Sequence, residues 1–202
     1  MRLTVFIILI LLSCVLLAKT GLNLEESLEV ITSVELKNLP ETSILEVIYE
    51  LGKDQIRNIY AIYPDPNGNW QIITEDTSLT LDGSNLSLLA SETLSAPVKG
   101  KPEVSINDAL SLIFLSEGYE PQAIFLEEME DGLIWQVIVN DNIVSVDSIT
   151  PAILRKEKRE AKLKEIQEKL ATRTKKHPEK PKEPPSKKPE QPPKGKGGKN
   201  KK

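Results

Sequence analysis

A single cysteine, Cys14, and a single histidine, His177, stand in 202 residues, and each lies far outside the part of the chain that could fold. One cysteine excludes an intramolecular disulfide and leaves the redox compartment unmarked. A metal centre needs several convergent thiolate or imidazole ligands, and a Ser or Cys nucleophile needs a partnering base. Neither can be assembled here. The one glycine cluster, GKGG at Gly195, has no strand or helix around it and so is no phosphate loop. Carboxylates remain, with Glu127, Glu128, Glu130 and Asp131 the densest group, but they fall at a strand end and hairpin tip, where charge normally serves solubility and edge protection. The expectation is therefore a protein that is not an enzyme, with no catalytic, cofactor-binding or metal-binding residues.

Long apolar runs are also missing, with one exception. Leu3 to Ala18 is uncharged and follows only Met1 and Arg2. About 20 apolar residues cross a bilayer core, so this run suits a signal-peptide core and is short for an anchor. Residues 1–21 are read as a signal peptide or membrane anchor, and the location as extracytoplasmic, either cell envelope or secreted. Leu11-Leu12-Ser13-Cys14 resembles a bacterial lipobox, with Leu12 departing from its pattern; an inert apolar cysteine is the preferred reading.

The net charge of -4 hides an asymmetry. Residues 1–150 hold 7 of the 26 basic and 23 of the 30 acidic residues, a balance of -16, and residues 151–202 carry +12. That split describes an acidic folded body and a basic arm drawn to anionic polymers or lipid surfaces.

Along the body, Leu28, Val30, Val34 and Leu36 share one parity and predict a half-buried strand over 27–37. Ile44, Leu45, Ile48 and Leu51 sit at helical spacing between Pro40 and Gly52. Strands IRNIYAIY and WQIIT follow, separated by the turn formers of PDPNGN, and then TSLTL, ending at Leu81. In the second half Ile106, Ala109, Leu110, Ile113 and Phe114 make a helical stripe behind a Ser105/Asp108 capping pair. Strands QAIFLEEM and LIWQVIVN meet at Asp131-Gly132, a strong hairpin signal, before IVSVDS.

The order repeats because the body is duplicated. An offset of 65 sets Trp70 on Trp135, Ile59 on Ile124, Gln71 on Gln136, Ile73 on Ile138, Asp76 on Asp141 and Asp82 on Asp147. That is six identities in 24 positions, where unrelated sequence gives roughly one or two. The tryptophans read as core anchors rather than ligand-stacking platforms. A competing match of LNLEESLEVI at Leu22 to VSINDALSLI at Val104 gives two identities in ten and is set aside. The expected architecture is α+β: two tandem units, each a helix with a three-stranded antiparallel sheet, packed together because one unit buries too little alone. The bounds are 22–83 for the first unit with its extra strand, 84–103 for a linker, 104–154 for the second unit, 155–174 for a charged solvated helix and 175–202 for a Lys/Pro-rich arm. The arm has 11 lysines, 3 glutamates and no aliphatic or aromatic side chain, a composition that predicts disorder. Asn85-Leu86-Ser87 fits a glycosylation sequon.

Residues 104–154 resemble a PepSY domain, through VSINDAL, the break at Glu117-Gly118, the AIFLEEM and LIWQVIV strands about Asp131-Gly132, and IVSVDSITPAIL. Pro151 stands where the family commonly has glycine. Residues 39–83 look like a divergent second copy. The resemblance implies a non-catalytic extracytoplasmic binding or regulatory protein that modulates a peptidase or its precursor, through an exposed sheet edge or helix face. The alternative is an envelope-anchored structural or adaptor protein whose basic tail binds an anionic envelope polymer or membrane surface. Nucleic acid is a poorer partner, since no aromatic residues interleave with the lysines.

Overall fold

The computed structural model describes residues 19–34, 38–56 and 58–176. The apolar segment with Cys14 and the arm with His177 lie outside these residues. The chain is α+β, with four helices and eight strands among the described residues. In chain order they are α1 (Leu24–Ser33), α2 (Ile44–Ile56), β1 (Ile59–Pro64), β2 (Trp70–Thr74), β3 (Thr77–Leu81), β4 (Leu88–Thr93), α3 (Ile106–Glu117), β5 (Ala123–Met129), β6 (Gly132–Val139), β7 (Asn142–Asp147), β8 (Ile153–Lys158) and α4 (Arg159–Lys176). The strands form one antiparallel sheet in the order β4-β3-β2-β1-β5-β6-β7-β8.

Four expectations are corrected. The two units are not three-stranded sheets packed on each other; each contributes four strands to one sheet, joined where β1 pairs with β5. Residues 84–103 are not only a linker, because Leu88–Thr93 forms β4 on β3. The terminal helix begins at Arg159, since Ile153–Lys158 is taken by β8 on β7. Of the predicted strand over 27–37, residues 27–33 belong instead to the helix α1, and 35–37 lie outside the described residues. Asn23 caps the helix, accepting from the N–H groups of Glu25 and Glu26, while the Glu26 carboxylate accepts from the Asn23 N–H. Ser27, Val30, Ile31 and Val34 are buried, which is i, i+3, i+4, i+7 spacing.

The halves are related by a pseudo-two-fold axis. Ser43 and Ser105 cap α2 and α3, and the segments before them, Pro40-Glu41-Thr42-Ser43-Ile44 and Pro102-Glu103-Val104-Ser105-Ile106, match at an offset of 62. The same offset relates β1 to β5, because Tyr63 opposes Gln71 as Phe125 opposes Gln136. Ala61 thus corresponds to Ala123 and Ile62 to Ile124, and Ile62 pairs with Ile124 across the seam. The axis runs through that pair. The offset of 65 holds only from Trp70 onward, because the β5–β6 hairpin is three residues longer than its counterpart; the predicted match of Ile59 to Ile124 is three residues out of place, since Ile62 holds that position.

Alternation of side chains sets the layers. Trp70 and Trp135 face α2 and α3, each indole N–H donating to the residue before a helix cap: Trp70 Nε1 to Thr42 Oγ1 at 2.9 Å, Trp135 Nε1 to the Val104 carbonyl at 2.8 Å. Both rings are buried. The other face carries α1 over β1 and β5, and α4 over β7 and β8.

Candidate functional site

The α1/α4 face differs between the halves, and the difference makes a cleft. In the second half α4 lies on the sheet and buries Ile166 and Lys162. Lys162 Nζ donates to Glu127 Oε2 at 3.0 Å, Gln136 Nε2 donates to the same oxygen at 2.7 Å, and Ser145 Oγ donates to Gln136 Oε1 at 2.8 Å. Glu127 is fully buried and its Oε1 has no hydrogen-bond partner. A carboxylate in such a place needs a cation. The lysine of α4 supplies it.

In the first half no helix corresponds to α4 among the described residues, and a cleft of about 490 Å³ opens between α1 and β1–β3. Glu29, Thr32 and Ser33 line it from α1; Tyr63, Asp65, Gln71 and Ser78 line it from the sheet and the β1–β2 turn. Sheet positions match those beneath α4. Gln71 Nε2 donates to Thr80 Oγ1 at 2.8 Å, repeating the Gln136–Ser145 pair at the offset of 65. Asp65, two residues beyond Tyr63, holds the place of Glu127. Where the covered half has Phe125, Ile134 and Ile143, the open half has Tyr63, Asn69 and Ser78.

Electrostatics follow from that lining. The Asp65 side chain accepts from the N–H groups of Asn67 at 2.7 Å and Asn69 at 2.8 Å, and from Asn69 Nδ2 at 3.2 Å. Burial pushes its carboxyl up, but these bonds outweigh burial and hold it below the usual Asp range. Burial pushes the Tyr63 phenol well above its ordinary value, with Glu29, Glu26 and Asp65 adding to the rise. The cleft thus presents two carboxylates, a neutral phenol, hydroxyls and a carboxamide, with no lysine or arginine among the described residues of its lining. Such a surface is complementary in charge and hydrogen bonding to cationic and polar groups.

The carboxylates singled out from the sequence do not converge. Glu127 is the buried partner of Lys162. Glu128, Glu130 and Asp131 line a separate cavity of about 660 Å³, opposite Lys169 and Arg173 of α4. Among the described residues no group of three or more His, Cys, Asp or Glu could hold a metal ion. Asn85 is exposed in the turn before β4, its side chain accepting from the Ser87 N–H at 2.9 Å. Tyr63, Asp65, Ser78 and Lys162 carry no signal in the sequence alone. The legible signal was the pairing of Gln71 with Gln136, a polar residue repeated inside an apolar strand.

No protein-family model matches the chain, and no curated protein matches it. A solved structure, that of a candidate lipoprotein from Clostridium difficile 630, is similar at 13% identity over 60% of this chain and 93% of that one, with a TM-score of 0.34. No helix of the described residues is long and apolar enough to cross a membrane.

Proposed function

We propose that this chain is a non-catalytic extracytoplasmic binding protein that regulates a peptidase, its two halves being PepSY-like units. The observation that carries the reading is the inequality of the halves: one copy of the sheet face is closed by α4, and the other is left open, polar and concave. Polar residues at Tyr63, Asn69 and Ser78 suit a surface that is wet when free and covered reversibly. Among the described residues no imidazole or lysine lines the cleft beside its hydroxyls. Affinity capture from the envelope fraction with the full chain, alone and with Ser78→Arg filling the cleft, tests the reading. A peptidase or its precursor retained by the parent and lost with the variant is expected. Equal capture by both removes the cleft from the interaction, and unchanged extracellular proteolysis on deleting the protein removes the regulation.

A second reading is favoured by composition. The 11 lysines against 3 glutamates from Lys175 onward suit binding to an anionic polymer or membrane surface by counterion release, with steep salt dependence. Truncation after Thr174 separates the two: loss of surface retention with intact effects on proteolysis assigns the tail to localisation.

A further inference from the structure

We propose that the open cleft is a lysine-binding site whose occupant is the Lys/Pro-rich segment 177–202 of the same chain. It rests on the cleft being a binding site, not on the identity of any peptidase. The internal duplication supplies the first argument, since it shows what a carboxylate at this sheet position does when its face is covered: Glu127 takes the ammonium of Lys162 at 3.0 Å. Asp65 occupies the same position in the other half, and among the described residues no cation lines its cleft.

The second argument decides against another helix. At the matching positions of the covered half Phe125 and Ile143 are fully buried and Ile134 is partly buried, but the open half presents Tyr63, Asn69 and Ser78 at those places. Covering these with apolar side chains would leave polar groups buried without hydrogen-bond partners, which is unfavourable. A segment of lysine, proline, glycine and glutamate has no large apolar side chain to bury, and its ammonium groups complement Glu29 and Asp65.

Reach is the third. The described chain ends at Lys176, leaving 26 residues that extend to at most about 85 Å at ~3.3 Å per residue. A body of this size has a radius of gyration of about 15 Å, so every part of its surface is accessible. Tethering raises the effective concentration of the lysines to about the millimolar range, enough for individually weak ammonium–carboxylate contacts to fill the cleft. The segment then competes with any external ligand and is displaced when an anionic surface takes the lysines.

Zero-length carbodiimide coupling of the full chain, read by peptide mass spectrometry, tests this. Glu29 is exposed, and amide bonds from Glu29 to the lysines of 177–202 are expected, with loss at 0.5 M salt or with Ser78→Arg. Coupling spread equally over other exposed carboxylates such as Glu25, Glu50 and Glu75, or persisting with Ser78→Arg, overturns the site. An equimolar mixture of 14N- and 15N-labelled chains gives uniform-label pairs for the intramolecular contact; mixed-label pairs overturn it in favour of a second copy. Because no peptidase is in the experiment, its outcome is separate from the capture result above.

Discussion

At the scale of single residues, the buried Glu127–Lys162 pair has the largest electrostatic consequence. Removing one member leaves the other charged and buried, so Glu127→Ala or Lys162→Met should each cost about 3–5 kcal/mol in denaturant unfolding. The double change should cost less than either single one, with a residue of destabilisation from Gln136, whose Nε2 loses its acceptor. The tryptophans provide a second residue-scale test. Trp70→Ala and Trp135→Ala each empty a buried position and should each lower stability by about 3–5 kcal/mol; an unmoved midpoint for Trp70→Ala would mean that the first half does not depend on its anchor as the second does. The third test is Asp65 on acidification. Its folded carboxyl ionises below the free value of 3.8, so the stability it contributes is present above that value and is lost as pH falls through the lower folded one. Thermal midpoints should drop below about pH 4 in the parent, and Asp65→Asn should flatten that drop while keeping an oxygen for the Asn67 and Asn69 N–H groups.

At the scale of elements, α1 shows why alternation can mislead. Leu28, Val30 and Val34 satisfy a period of two, yet Val30, Ile31 and Val34 also satisfy a helix, and the cap decides. Asn23 and Glu26 satisfy each other's backbone N–H groups at the entry, and a strand would leave that pairing unused. Asn23→Ala should cost about 0.5–2 kcal/mol, with the loss seen as faster amide exchange in α1 before the sheet is affected. The two edges of the sheet are likewise unequal. β8 carries Arg155, Lys156 and Lys158, whereas β4, Leu-Leu-Ala-Ser-Glu-Thr, has no cation and exposes Leu88 and Leu89. Lysine on an edge opposes further strand addition, so β4 is the edge open to it.

For the whole molecule, the pseudo-two-fold axis through Ile62 and Ile124 gives the sharpest expectation. Those residues are fully buried, and cutting the chain between β4 and α3 leaves β5 as a long apolar edge. Residues 102–176 alone should therefore dimerise through β5, replacing the approximate axis with a true one, and sedimentation or light scattering would read the mass directly. A stable monomer would mean that the second half covers β5 by itself and that the seam contributes little.

The sequence by itself determined the α+β class, the helices α2 and α3, the two hairpins, the duplication and the tryptophan anchors, because each rests on local period, turn chemistry or identity between the halves. It also carried the repeat Pro-Glu-x-Ser-Ile at the two helix starts, hidden by the choice of one offset where the hairpin lengths demand two. Only the tertiary structure decided the rest. β4 and β8 have weak patterns, since these two edge strands are largely exposed and show no alternation of burial; their existence depends on the hydrogen bonds that β3 and β7 offer. The cleft was illegible for a related reason. Tyr63, Asp65, Gln71 and Ser78 are ordinary polar residues one by one, and their meaning comes from lying on the one copy of the sheet face that α4 does not cover, a fact fixed by where the chain runs after β8 and not by any residue in the cleft.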